Sequence, residues 1–267
     1  MAELDRLDRE YGLGTMPSAS TRRRTRQRPG SRAPLLIGLL VTGVLLVAIV
    51  ALSPTENMLA VRRMLGFDDD RLAAAPQVPQ GIGSFEYMQT QRGSDRPVAY
   101  DPCRPIEVEV NPEGAPADYD ELVDTGLAHT AAATGLVFTR VGLTDDRDVV
   151  GGGLPRRRPV LIAWATPDEV PELAGDVAGI GGSAAVGTPG HMQYVTGRVM
   201  LDSELFASFD DDEVVEAQAI MDHELGHVVG LGHVDDPGEL MYDEALERTT
   251  YGPGDREGLA RLGSVDC

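Results

Sequence analysis

Apolar and polar residues follow three different rhythms along this chain, and each rhythm predicts a different element. Residues 33–52 contain no charged residue and are dominated by Leu, Ile and Val. Twenty such residues in a helix cross roughly 30 Å of hydrocarbon. Ile106-Glu-Val-Glu-Val110 alternates with period two, as a half-buried strand does. Residues 85–91 and 136–141 predict further short strands, and 194–201 predicts another. The run Pro159-Val-Leu-Ile-Ala-Trp-Ala165 is continuously apolar, the pattern of a strand covered on both faces. Helical spacing runs through 118–134 by way of Leu122, Gly126 and Leu127, and a short final helix is predicted at 255–262.

Between these lies a longer stretch of period 3.6. Measured from His223 at 100° per residue, Val214, Ala217, Met221, Leu225 and Val228 fall between roughly 120° and 200°. His223 and His227 fall at roughly 0° and 40°. One face of this helix is therefore core, and the other looks into a cleft. Asp210, Asp211 and Asp212 are placed to cap its N-terminus and to complement its dipole.

Four segments follow. Residues 1–32 are polar and arginine-rich, 33–52 form the apolar span, and 53–82 read as a tether. Within the tether 58–67 has some helical character, and the Ala-Ala-Ala-Pro-Gln-Val-Pro-Gln-Gly run at 73–81 gives up regular structure. The folded domain is expected at 83–267, with the first strand near Ser84, and is large enough for one good core. Its mixture of strands and helices places it in the α/β (α+β) class. The glycine-rich run from Gly179 to Gly187 lacks phosphate-loop spacing and reads as a loop.

Charge sharpens this division. The net charge is −20, with no lysine among the 23 basic residues. Residues 1–32 hold eight arginines against four acids, giving +4, and the remaining 15 arginines and 39 acids give −24. Such an acidic domain excludes nucleic acid as a partner, because phosphate binding needs a basic face. The arginine cluster before residue 33 puts the N-terminus in the cytoplasm and the domain outside it, so 33–52 is expected to anchor the chain in a membrane. A cleaved signal peptide competes, with Ser53 as its small-residue exit. The acidic runs at 68–70 and 210–213 lack the alternating ligands and central glycine of a calcium loop, so Ca²⁺ stays open without support.

The chemistry concentrates in His223-Glu-Leu-Gly-His227-Val-Val-Gly230-Leu-Gly-His233. Histidines four apart on a helix sit one above the other and can share one ion. The helix cannot bring a third ligand at the right angle. Gly230 can turn the chain back, so that His233 approaches from a second direction. Three imidazoles at about 2.0–2.1 Å leave one tetrahedral position of Zn²⁺ open, the catalytic arrangement. Glu224 is placed to take a proton from water there.

This H-E-x-x-H-x-x-G-x-x-H motif resembles that of the metzincin zinc peptidases, closest to their matrixin-like branch, in a bacterial, membrane-anchored form. Met241, in Gly-Glu-Leu-Met-Tyr, resembles the family's Met-turn methionine, which packs beneath the metal ligands and does no chemistry. Val234 departs from the polar residue that several families carry after the third histidine. Only His129 and His191 lie outside the motif, too few for a second, structural zinc. The resemblance covers roughly 84–267. It implies a zincin domain with a mixed, mostly parallel twisted sheet, an active-site helix, a Met-turn and a C-terminal helix. It also implies an extended peptide substrate paired to a sheet edge, for which the 185–201 region is the candidate. In some relatives a tyrosine contacts the metal or transition state, and Tyr242 is the candidate for that here, with a core or surface tyrosine the favoured reading.

The function that follows is zinc-dependent hydrolysis of peptide bonds in extracytoplasmic proteins, with His223, His227 and His233 as ligands and Glu224 as general base. A zinc-binding module without activity and a structural zinc site are the alternatives. The retained Glu224 and the open fourth position speak against them. Cys103 and Cys267 both lie on the exported side, where a disulfide between them is favoured. The competing reading makes Cys103, in Asp-Pro-Cys-Arg-Pro, a thiolate that occupies the zinc and keeps the enzyme latent.

Overall fold

The computed structural model describes residues 71–79, 83–147, 157–210, 212–243 and 248–267. The apolar span at 33–52, the segment before it and most of the tether lie outside these residues. Among the described residues no helix is long and apolar enough to cross a membrane.

The elements run β1 (Glu86–Tyr87), β2 (Ile106–Asn111), α1 (Tyr119–Thr134), β3 (Phe138–Leu143), β4 (Val160–Ala165), β5 (Gly179–Thr188), β6 (His191–Asp202), α2 (Ser203–Ser208), α3 (Val214–Val229), β7 (Leu231–Gly232) and α4 (Pro253–Gly263). Five strands form one sheet in the order β3-β2-β4-β6-β5. Its pairs are parallel except β5, which runs antiparallel along β6. The mixed, mostly parallel sheet that the resemblance implies is therefore present. β1 and β7 make a separate antiparallel pair.

β4 sits at the centre because its side chains can be buried on both faces. Val160, Ile162 and Trp164 enter the main core with α1 and α3. Leu161, Ala163 and Ala165 form a smaller cluster with Leu173 and Met200. Helices α1 and α3 pack closely because Gly126 has no side chain: a Cβ there would stand 2.8 Å from Met221 Cγ and 2.9 Å from Leu225 Cδ1.

Four expectations are corrected. The glycine-rich run is not a loop but β5, and the reason is packing. A Cβ on Gly181 would collide with the Glu224 carbonyl, and one on Gly179 would reach 2.9 Å from Glu224 Cγ, so only glycine lets α3 lie against this strand. β5 is one of the two edges of this sheet, with β3 the other, and it carries 185–188 of the expected substrate edge. The 194–201 stretch of β6 is enclosed between β4 and β5. At the start of α3 the N-cap is Glu213, without a side-chain capping bond. Asp210 instead closes a local turn, its carboxylate accepting from the Asp212 N–H at 3.0 Å. Val214, expected in the core, is 47% exposed. Helix α2 was not foreseen. Its signal is Asp202, whose carboxylate accepts from the N–H groups of Glu204 (2.8 Å) and Leu205 (3.3 Å).

The two ends of the domain meet. Cys103 and Cys267 are joined in a disulfide, 164 residues apart. Beside it Arg71, from the stretch read as tether, donates to the carbonyls of Gly263 (2.5 Å) and Val265 (3.1 Å) at the end of α4. Thiol titration of the denatured, unreduced protein should find no free cysteine. Replacing Cys267 with Ser should lower unfolding stability by up to about 5 kcal/mol, the chain-entropy value for so long a loop. A variant as stable as the parent in denaturant titration would show that the bridge constrains nothing.

Candidate metal centre

Residues Val214 to Val229 form a helix whose last two turns are buried on every side, and it delivers two of the three histidines. Gly230 ends it with φ of 120°, its N–H donating to the carbonyls of Gly226 and His227. That backbone angle suits glycine and turns the chain into β7. β1 then holds the turn in register: Tyr87 pairs with Leu231 and Glu86 with Gly232. His233 follows directly, folded back over the helix.

The three rings converge. His233 Nε2 lies 3.1 Å from His223 Nε2 and 3.0 Å from His227 Nε2. Their tautomers follow from the other nitrogens. His223 Nδ1 is 2.7 Å from the Leu240 carbonyl and His227 Nδ1 is 2.8 Å from the Leu231 carbonyl. A carbonyl only accepts, so each Nδ1 carries the proton and each Nε2 is left with a lone pair. These two lone pairs face the Nε2 of His233, and a cation among the three nitrogens would be held by all of them. Tetrahedral zinc with about 2.05 Å bonds separates its nitrogens by roughly 3.3 Å, so these donors fit that ion. Burial keeps the imidazoles uncharged, as ligation requires. It lowers His223 to a pKa of about 4 and His227 to about 3, and it lowers His233 as well.

Glu224 stands beside this cluster without joining it. It is buried, its Oε2 has no hydrogen-bond partner, and burial raises its pKa to about 8. The cleft above it has a volume of about 510 Å³ and is lined by the triad, Glu224, the start of β5, and Met88, Val177, Ile220, Tyr242 and Asp243. Tyr242, whose favoured reading from sequence is a core or surface residue, is among the residues lining the cleft. Cys103 is bonded to Cys267 and is not among the lining residues.

Below the histidines the Met-turn is fastened by carboxylates that the sequence reading missed. Met241 is buried against Gly226, where any Cβ would meet its sulfur. Asp255 Oδ2 accepts from the N–H groups of Leu240 (2.6 Å) and Gly252 (2.8 Å), and its Oδ1 from Met241 (3.4 Å). Glu239 caps the same end of α4, accepting from Gly254 at 2.9 Å and Asp255 at 3.0 Å. Burial, the largest effect, raises Asp255 to a pKa of about 6 despite these donors. A sequence signal existed: Gly-Pro-Gly-Asp places an acid at the third position of a helix that starts on proline. The peptide between Leu240 and Met241 therefore faces Asp255 with its N–H and His223 with its carbonyl. Asp255 thus positions the first ligand through one backbone amide.

His129, outside the motif, pairs with Asp222 at 2.7 Å, and Gln218 donates to the same carboxylate at 2.9 Å. This ties α1 to the residue before His223.

Residues 162–260, from β4 into α4, match the family model described as Matrixin. Among solved structures the chain is similar to the crystal structure of archaemetzincin from Methanopyrus kandleri. That likeness has 16% identity and a TM-score of 0.39, covering 58% of this chain and 93% of the other. No match is found among curated proteins. The Matrixin match supports a zinc metallopeptidase, which implies Zn²⁺, and the His223–His227–His233 cluster could hold a metal ion.

Replacing Asp255 with Asn leaves one acceptor oxygen where two receive N–H groups, and turns an amide donor on the others. Zinc affinity, measured by competition with a chelating indicator, should fall about 10–100-fold, the usual cost of losing a partner behind a ligand. Unchanged affinity would show that Leu240 is held in place without the carboxylate.

Proposed function

We propose that this chain is a membrane-anchored zinc endopeptidase whose domain, residues 83–267, hydrolyses proteins outside the cytoplasm. The observation that carries the reading is Glu224 Oε2, a buried and unpartnered carboxylate oxygen bordering the cleft beside three converging imidazole nitrogens. Zinc held there supplies Lewis acidity, bringing the pKa of water towards 7 and polarising a carbonyl.

The chain's own groups do the rest. Glu224 takes a proton from water as its oxygen bonds to the scissile carbonyl carbon. The carboxylic acid so formed returns the proton to the nitrogen, and the C–N bond breaks to give an amine and a new carboxyl group. Burial favours a proton on Glu224, and a cation held by the histidines would counteract that. Asp255, by way of the Leu240 carbonyl, and the Leu231 carbonyl keep two rings in the tautomer that leaves Nε2 free. The exposed edge of β5 has unpaired backbone groups among the described residues, with which an extended peptide can pair.

Replacing Glu224 with Gln should leave zinc stoichiometry unchanged and lower peptide hydrolysis by roughly 10²–10⁴-fold, the range for a general base. Loss of zinc in this variant would make Glu224 a ligand, and full activity would remove it from the mechanism.

The membrane assignment has a separate test. It rests on the uncharged 33–52 span and the arginines before it. Protease added outside intact cells should release fragments from 83–267 while the arginine-rich end stays protected. A mature protein that begins near residue 54 and is free of the membrane would identify the span as a signal peptide.

A further inference from the structure

We propose that Met88 is a specificity-determining residue, its side chain receiving an apolar side chain of the bound peptide at the end of the cleft nearest the Gly230 turn. The proposal rests on the peptidase reading above.

It starts from a broken alternation. Along residues 84–88 burial follows period two, with Phe85 and Tyr87 partly buried against the core and Ser84, Glu86 and Met88 exposed. Ser84 and Glu86 are polar, as an outward face requires. Met88 is apolar, 46% exposed, and the member of this segment that lines the cleft. Its thioether is therefore an apolar part of the cleft wall, open to an apolar group of whatever the cleft binds.

Its backbone is held on both sides. The Met88 N–H donates to the Gly230 carbonyl at 2.8 Å, and the next residue's carbonyl accepts from Val98 N–H at 2.9 Å. Further along, Gln91 pairs with the backbone of Met192 through both ends of its amide, at 2.7 and 2.8 Å. On the other side Phe85 packs against Gly258 and under the Arg261 guanidinium, 5.6 Å from the ring centre. A fixed backbone thus carries a flexible thioether, which adapts to varied apolar partners.

The position along the cleft also follows. β5 and α3 advance together, because Gly179 and Gly181 pack on Glu224 while Ser183 Oγ donates to the Val228 carbonyl at 2.7 Å. Val177, just before β5, therefore marks the Ile220 end. Met88, bonded to Gly230, marks the opposite end. A peptide lying along β5 meets the two exposed apolar side chains on opposite sides of the histidines.

The test uses the full-length, zinc-loaded chain with a mixed peptide library. Replacing Met88 with Glu should remove the preference for an apolar residue at one substrate position, by about tenfold in kcat/KM, with zinc content unchanged. Replacing it with Leu should keep that preference. In parallel, library peptides added to ¹³C-methyl-methionine protein carrying Glu224→Gln should shift the Met88 methyl signal, identified by its loss in Met88→Leu. An unchanged cleavage profile with an unmoved methyl signal overturns the proposal. A moved methyl signal in a protein that cleaves nothing retains Met88 as a ligand contact and removes the peptidase reading instead.

Discussion

Three imidazoles turn their Nε2 atoms on one point, and two of them, His223 and His227, are fixed by their Nδ1 protons to present lone pairs there. The surrounding structure is organised to enforce it. Each of two Nδ1 protons is taken by a backbone carbonyl, Leu240 for His223 and Leu231 for His227. Both carbonyls are held in turn, one in the Met-turn by Asp255 and the other in the β1–β7 pair. The first segment of the domain, the turn after α3 and the N-terminus of α4 thereby act on one point from three directions. None of these contacts is strong alone; their common direction makes the site rigid before metal arrives.

Close packing of α3 on β5 is the second condition, and it sets chemistry rather than stability. Gly179 and Gly181 bring the strand onto Glu224, which excludes water from its sides and leaves Oε2 bordering the cleft. A larger residue at either position would move β5 away from the carboxylate. The glycines thus fix how closely the sheet edge approaches Glu224.

Much of the site was legible in sequence because a helix converts spacing directly into direction. His223, His227, Gly230 and His233 state their arrangement in eleven residues, and Met241 follows within the same local stretch. β2, β4 and α1 were legible for the same reason, since their patterns depend on local periodicity. Long-range packing hid the rest. The 179–188 strand has too few side chains to show a period, and its glycines make sense only once α3 lies against it. Asp255 looks like an ordinary helix-start acid until the Met-turn, fourteen residues earlier, is seen to donate to it. Met88 carries no signal until the third-ligand turn is beside it.

The central claim is that His223, His227 and His233 hold a catalytic zinc with one side open. X-ray absorption at the zinc edge of the purified full-length chain tests it directly. The account predicts three imidazole nitrogens at about 2.0–2.1 Å and one further oxygen or nitrogen scatterer. A sulfur neighbour at about 2.3 Å, or fewer than three imidazoles, would contradict it.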